Sequence, residues 1–197
     1  TTHKVFGEDF GILAGDALLN YAYEVMTSAV CAASPENMKN CAGAAAVIAR
    51  KAGIFGMVGG QSLDVLLTDK PVNEEEMEFI FNLKTGALIE AAFMAGAILA
   101  GAGKECVSQL EKAGNLVGVA FQIKDDILDV TSTQEVLGKP VFSDEKNNKT
   151  TYVTLYGMEK AAADVENMSE KAESIVKSIG DNEFLIELIN KLISREK

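Results

Sequence analysis

Residues 91–103 limit the possible folds of this chain most, because all thirteen of them are uncharged. The segment is too short to span a bilayer, which takes about 20 apolar residues. Upstream, Asn73 followed by three glutamates is a helix start with acids in its first turn. We expect one long helix over residues 73–101. A helix that is apolar on all sides must be covered by other helices, so this segment predicts the central helix of a bundle.

Helical patterns cover the rest of the chain as well, and no run of alternating β-branched residues predicts a strand. We therefore expect one all-α domain over residues 1–197, built as a helical bundle. The predicted helices are residues 3–32, 34–53, 56–67, 73–101, 104–130 and 132–138, then a loop at 139–150, a helical turn from Thr151 and two C-terminal helices that meet near Gly180.

The composition excludes several classes of function. The net charge of −11 argues against nucleic-acid binding, which needs clustered Lys and Arg. Cys31, Cys41 and Cys106 have no metal-ligand spacing and are expected to be reduced thiols of a cytoplasmic protein. With His3 as the only histidine, a Ser-His-Asp or Cys-His nucleophile has little support. We expect no membrane insertion, and a start at Thr1 rather than Met indicates a fragment or a processed product.

The acidic stretch at residues 121–129 carries the main chemical signal. In a helix, Asp125 and Asp129 lie one turn apart on one face, with Asp126 beside them. Like charges at this spacing repel, and the apolar residues around them indicate a packed helix. A hard divalent cation such as Mg²⁺ would compensate the carboxylates. The alternative is a solvated acidic helix face.

Two further segments carry polar residues where a helix is expected to be packed. Gln61 and Asp64 share one side of a glycine-rich helix, and their alternative role is to satisfy each other. Gly59 and Gly60 in that helix predict close backbone packing. Lys84 lies in an apolar helix, where a lysine is costly unless it is paired or reaches the surface.

The remaining candidates flank the acidic stretch. Gln122 lies one turn before Asp125 and can point into the same space. Lys139, Asp144 and Lys149 lie on the loop that follows, where a solvated charged loop is the ordinary alternative. Together, carboxylates and lysines of this kind predict a metal–diphosphate site, because Mg²⁺ bridges phosphate to carboxylate while Lys binds the remaining oxygens.

Five blocks in order make the sequence recognisable: THKVFGEDFGILAGDALL, GGQSLD, KTGALI, FQIKDDILD and GKPVFSDEKNNKTTY. Up to about Gly157 they resemble the trans-isoprenyl diphosphate synthases, and among these the bacterial farnesyl diphosphate synthases (geranyltranstransferases). The resemblance implies an all-α, isoprenoid-synthase-type bundle around a central cavity, acting as a homodimer. It implies a Mg²⁺-dependent prenyltransferase that condenses isopentenyl diphosphate with dimethylallyl or geranyl diphosphate to give farnesyl diphosphate.

The resemblance also implies roles for individual residues. It assigns the direct Mg²⁺ contact to Asp125 and metal contacts through water to Asp126, Asp129 and Asp144. It places the Thr85 hydroxyl and Gln122 beside the developing carbocation. The remaining roles are binding of the allylic diphosphate by Lys84, Lys139 and Lys149, and support of the metal cluster by Gln61 and Asp64.

The chain also departs from the family pattern. The family's first aspartate-rich motif, an Arg-Arg pair and a Gly-Lys-x-Arg patch for isopentenyl diphosphate precede the equivalent of Thr1 and are absent here. We therefore expect that N-terminal helices are missing and that the chain is inactive alone. Phe142 stands where relatives often have Gly. Two alternatives remain: a longer-chain (geranylgeranyl or polyprenyl) diphosphate synthase, and a non-catalytic subunit of a heteromeric synthase, which retention of all three aspartates disfavours.

Overall fold

The computed structural model describes residues 2–131, 150–180 and 182–195, and the regular structure within them is helical throughout. This confirms the predicted all-α fold. The elements in chain order are α1 (Thr2–Phe6), α2 (Glu8–Ala32), α3 (Met38–Ala52), α4 (Met57–Leu66), α5 (Glu74–Ile80), a π-helix (Phe81–Gly86), α6 (Ala87–Leu99), α7 (Lys104–Thr131), α8 (Tyr152–Tyr156), α9 (Met158–Ile179) and α10 (Glu183–Ser194).

The N-terminal helices differ from the prediction in two places. The single helix expected over residues 3–32 is divided at Gly7, whose φ of 92° lies in the left-handed region that a helix cannot continue. The helix expected from Ser34 begins later, at Met38, because residues 34–37 form a turn. In this turn the carbonyl oxygen of Ser34 accepts the backbone N–H groups of Asn37 and Met38. No residue of α2 is buried, and most of its large apolar side chains are exposed, among them Phe10, Leu13, Leu18, Leu19 and Tyr21.

The helix predicted over residues 73–101 is present but contains an irregularity. Asn73 and Glu76 form a reciprocal capping box at its start, and the helix continues through α5, the π-helix and α6 to Leu99. The expectation that it is buried on all sides was wrong. Ala91 and Ala95 are buried, but Leu88 and Leu99 on other faces are exposed in this chain.

Helix α7 is the centre of the fold, with α6 and α9 packed along it and α10 against its side. Val117 and Ile123 of α7 are fully buried. The core around Val117 includes Val176 of α9 and Ile189 of α10, and the core around Ile123 includes Phe81 of the π-helix. Since α7 carries the acidic stretch, this packing holds its carboxylates on a rigid element.

Two helical stretches, Met38–Leu66 and Glu74–Leu99, are long and apolar enough to cross a membrane by length and composition alone. Core helices of soluble proteins pass the same test, so this is weak evidence. In the second stretch Glu90 is buried and bonded to a lysine of α3, which is how a packed helix satisfies a charge. The absence of membrane insertion stays a prediction.

Candidate functional site

Helix α4 is bound to the π-helix by an ion pair. Lys84 Nζ lies 2.6 Å from Asp64 Oδ2, and the two side chains are 28% and 12% exposed. Gly60 lies one turn before Asp64, and a Cβ atom there would lie 2.3 Å from the backbone nitrogen of Lys84. The predicted close packing of the glycine pair is confirmed at Gly60. The structure pairs Lys84 with Asp64, so the lysine is compensated by a carboxylate of the neighbouring helix rather than by reaching the surface.

Helix α7 meets the π-helix through a second polar contact. Thr85 Oγ1 donates a hydrogen bond of 2.9 Å to Gln122 Oε1. Gly118 lies one turn before Gln122, and a Cβ atom there would lie 2.5 Å from Gly86 Cα. The glycine contact therefore sets the helix separation that this hydrogen bond needs. Short π-helical turns occur frequently at functional sites, and here one presents Lys84 and Thr85 side by side.

The leading aspartate of the acidic stretch is bonded to a residue that sequence reasoning missed. Arg195 Nη2 lies 2.7 Å from Asp125 Oδ1 and donates a second hydrogen bond of 3.1 Å to the carbonyl oxygen of Phe121. The Arg195 guanidinium also lies 3.5 Å from the centre of the Phe121 ring, a cation–π arrangement. Only the charge of Arg195 could have pointed to it, since nothing in its spacing links it to Asp125.

Asp126 and Asp129 are both buried, at 6% exposure each. Asp126 Oδ2 accepts the backbone N–H of Tyr152 at 2.7 Å, so this carboxylate holds the first residue of α8 against α7. The Tyr152 hydroxyl donates to Asp164 Oδ2 at 2.6 Å. The pKa of the Asp164 carboxyl lies below its usual value, because the carboxylate accepts hydrogen bonds from Lys160, which has the larger effect, and from Tyr152. The acidic helix face is thus packed, and the solvated alternative fails at these two residues.

A second charged network lies behind the site, where α3, α6 and α7 meet. Lys51 Nζ donates to Glu90 Oε2, and to Glu111 Oε1 at 2.7 Å. Asn115 Nδ2 donates to Glu90 Oε1 at 2.7 Å. Burial lowers the pKa of Lys51, but hydrogen bonds to Glu111 and Glu90 outweigh it, so the net shift is upward. Sequence reasoning missed this network because its members lie on three separate helices.

The described residues fit an open magnesium site rather than a closed one. Among the residues that the structure describes, no three His, Cys, Asp or Glu side chains lie together so as to hold a metal ion. Mg²⁺ is usually held by one or two carboxylates, with waters and substrate phosphates completing the shell. Asp125 and Asp129 carry oxygen donors of this kind on α7, and Asp125 is paired with the Arg195 guanidinium.

The predicted site residues are therefore only partly placed. The described contacts join Asp64 to Lys84 and Thr85 to Gln122, and Asp125 lies one turn beyond Gln122 on α7. Gln61 lies one turn before Asp64 on α4 and is partly buried. Three predicted site residues lie outside the described part of the chain: Lys139, Asp144 and Lys149. Phe142 and the helix predicted over residues 132–138 lie outside it as well.

Comparisons with known proteins identify related sequences and folds. The sequence model of the polyprenyl synthetase family matches residues 1–189. Geranylgeranyl pyrophosphate synthase 3 of Arabidopsis thaliana is 41% identical over 177 residues, which cover 88% of this chain and 48% of that protein. Farnesyl diphosphate synthase of Geobacillus stearothermophilus is 39% identical over 170 residues, 84% of this chain and 57% of that protein. The chain spans about half the length of these curated relatives.

Solved structures agree with this assignment. The chain is similar to a Helicobacter pylori geranyltransferase that was crystallised with magnesium and isoprenyl diphosphate, at 29% identity and a TM-score of 0.82. The match covers 98% of this chain and 62% of that one. The isoprenoid-synthase-type bundle predicted from the sequence is therefore confirmed.

Proposed function

Because this chain belongs to the polyprenyl synthetase family, we propose that it carries half of the active site of a trans-prenyltransferase. The proposed reaction forms a carbon–carbon bond between isopentenyl diphosphate and an allylic diphosphate, breaks the allylic C–O bond with release of diphosphate, and releases one proton from the isopentenyl unit. The proposal rests above all on one arrangement, in which Lys84 and Thr85 stand side by side on the π-helix, ion-paired to Asp64 and hydrogen-bonded to Gln122, respectively.

The described residues supply separate parts of this chemistry. A magnesium ion held by Asp125 and Asp129 would neutralise charge on the leaving diphosphate. Lys84 is charged, partly buried and held by Asp64. Its ammonium group is therefore already in position to bind diphosphate oxygens. The Thr85 hydroxyl and the Gln122 amide are dipoles, and the hydrogen bond between them fixes their orientation. They can therefore stabilise developing positive charge without reorganising.

The product is the finer part of the proposal. The resemblance of the sequence motifs favours farnesyl diphosphate, and the Geobacillus relative is a farnesyl synthase. Most of the similar curated proteins are geranylgeranyl synthases, such as those of Arabidopsis, pepper and Catharanthus roseus. We propose a short-chain product of 15 or 20 carbons, and chromatography of the dephosphorylated products decides between them.

We also propose that two copies of the chain associate. Helix α2 exposes a row of large apolar side chains, and exposed apolar patches of this kind mark interaction surfaces. The proposal is tested by light scattering at micromolar concentration, where a dimer is expected and a monomer alone would contradict it.

Turnover tests the proposed function. The natural protein that contains this sequence is incubated with Mg²⁺, radiolabelled isopentenyl diphosphate and geranyl diphosphate, and labelled prenyl alcohols are counted after phosphatase treatment. Label in a 15- or 20-carbon product supports the proposal. No product from any allylic primer, with the fold intact by circular dichroism, would instead support the non-catalytic subunit.

The residue arrangement is tested separately by a double-mutant cycle. Thr85→Val and Gln122→Met each remove one partner of the same hydrogen bond, so their effects on turnover should not add. We expect a coupling of about 1 kcal/mol in the cycle. Additive effects would show that the two oxygens act independently of one another.

A further inference from the structure

Arg195 occupies the place at which the proposed metal site begins. Arg195 directly follows α10, and its guanidinium reaches 70 residues back along the chain to Asp125. The side chain is only 18% exposed. A hydrogen bond to the Phe121 carbonyl and the Phe121 ring fix its orientation, so this contact is more than a loose surface ion pair.

The contact is nevertheless incompletely satisfied. A single nitrogen, Nη2, makes both the bond to Asp125 and the bond to Phe121, whereas arginine can bind a carboxylate with two parallel bonds. Arg195 Nε is buried and has no hydrogen-bond partner among the residues that the structure describes. A buried donor without a partner costs about 1–3 kcal/mol. A competing cation can therefore displace the guanidinium from Asp125.

We propose that Arg195 is a resident counter-ion of Asp125 that competes with the divalent cation, so that metal loading requires release of this arginine. The proposal rests on the proposed function, in which Asp125 is a metal ligand. The guanidinium neutralises the charge of the Asp125 carboxylate and places a positive group beside it, so a divalent cation that binds there meets both a weaker ligand charge and electrostatic repulsion. Arg195 would thus weaken metal binding in the absence of substrate, and keep Asp125 satisfied until a metal–diphosphate complex arrives.

Manganese binding to this chain without substrate tests the competition. Free Mn²⁺ is measured by its paramagnetic resonance signal as it is titrated with protein. Arg195→Gln removes the competing charge and should tighten Mn²⁺ binding about fivefold, the factor expected for losing a competing pair worth about 1 kcal/mol. Lys191→Gln is the matched control. It removes the same charge four residues earlier, on α10, but Lys191 is 71% exposed and pairs with Glu187, so Mn²⁺ affinity should change less than twofold.

A second variant controls for the case in which Arg195→Gln fails to fold. A chain that ends after Ser194 removes Arg195 together with Glu196 and Lys197, whose charges cancel, and it should tighten Mn²⁺ binding to the same extent. Arg195→Lys keeps the charge and should remain within twofold of the unaltered chain. If Arg195→Gln and the shortened chain bind Mn²⁺ no better than Lys191→Gln does, the competition does not exist.

The failure of this inference can be told from failure of the proposed function. Asp125→Asn should weaken Mn²⁺ binding strongly in both the unaltered and the Arg195→Gln chains. If it does, and Arg195→Gln still has no effect of its own, only the competition is overturned. If Asp125→Asn leaves Mn²⁺ binding unchanged, Asp125 is no metal ligand, and the inference falls together with the metal site of the proposed function.

Discussion

The carboxylate of Asp126 accepts the backbone N–H of Tyr152 at 2.7 Å, so the acidic stretch of α7 also holds the start of α8. The bond satisfies a donor in the first turn of α8 that no bond within the helix can satisfy. Thr151 and Thr154 cap the same turn. Asp126 is thus a structural anchor in this chain, while its predicted metal contact through water stays a prediction.

Hydrogen exchange at Tyr152 measures this anchor. Asp126→Ala should speed exchange of the Tyr152 amide by about tenfold, because a hydrogen bond to a charged group contributes about 1.5–3 kcal/mol. Asp126→Asn keeps an acceptor oxygen and should stay near the unaltered rate. The Glu76 amide, which Asn73 caps on α5, should not change in either variant. Equal rates in Asp126→Ala and the unaltered chain would show that other contacts hold α8.

Gly118 gives a prediction about helix separation. Gly118→Ala would place Cβ 2.5 Å from Gly86 Cα, so α7 must move from the π-helix, and we expect a loss of about 1–3 kcal/mol in unfolding free energy. Gly96→Ala is the control, because a Cβ at Gly96 meets nothing within 4 Å. It should stabilise the helix by about 0.5–1 kcal/mol. Urea unfolding measures both, and equal stability of the two variants would contradict the close contact.

Lys51 predicts a dependence of stability on alkaline pH. Its pKa is raised in the folded chain, so its pairing stabilises the fold fully below the ordinary lysine pKa of about 10.4. That stabilisation is lost as the pH rises through the higher pKa of the folded state. Lys51→Met should be about 2 kcal/mol less stable at pH 7 and should lose less stability than the unaltered chain above pH 10.

The control for this experiment is an exposed lysine. Lys191→Met removes a pair whose side chains are 71% and 64% exposed, so unfolding free energy should change by less than about 0.5 kcal/mol. Urea unfolding at pH 7, 9, 10 and 11 provides the comparison. Parallel loss of stability in Lys51→Met and the unaltered chain would show that the network does not hold Lys51 in its charged form.

Asp125 predicts separate effects on turnover and on stability. In the natural protein that contains this sequence, Asp125→Ala should lower turnover by about 10²–10³-fold, as loss of one charge-stabilising group does. Three neighbouring carboxylates alone predict an unchanged or raised melting temperature without Mg²⁺. The ion pair with Arg195 reverses the expected sign, and we expect a loss of about 1 kcal/mol.

An exposed acid on α9 serves as the control for Asp125. Glu170→Ala should leave turnover within twofold and the melting temperature nearly unchanged, because Glu170 is exposed. Calorimetry without Mg²⁺ and the radiolabel assay with Mg²⁺ give the two readouts. Near-normal turnover of Asp125→Ala would contradict a metal site on this face of α7.

Local signals in the sequence determined the helices. Asn73 with its three following glutamates and the uncharged segment at residues 91–103 are signals within short stretches of sequence, and the structure has helices at those places. The order of the motifs also determined the family. Where the prediction was wrong, at Gly7 and at the start of α3, the competing signal was a local turn that periodicity does not register.

Only the tertiary structure decided which charges meet. Asp64 pairs with Lys84, 20 residues away, and Asp125 with Arg195, 70 residues away. The sequence shows that each carboxylate needs compensation, but the partner depends on how closely distant helices pack. Gly60 and Gly118 set that approach through backbone contacts with the π-helix. Both contacts fall on the π-helical turn, and they involve residues that are distant in the sequence.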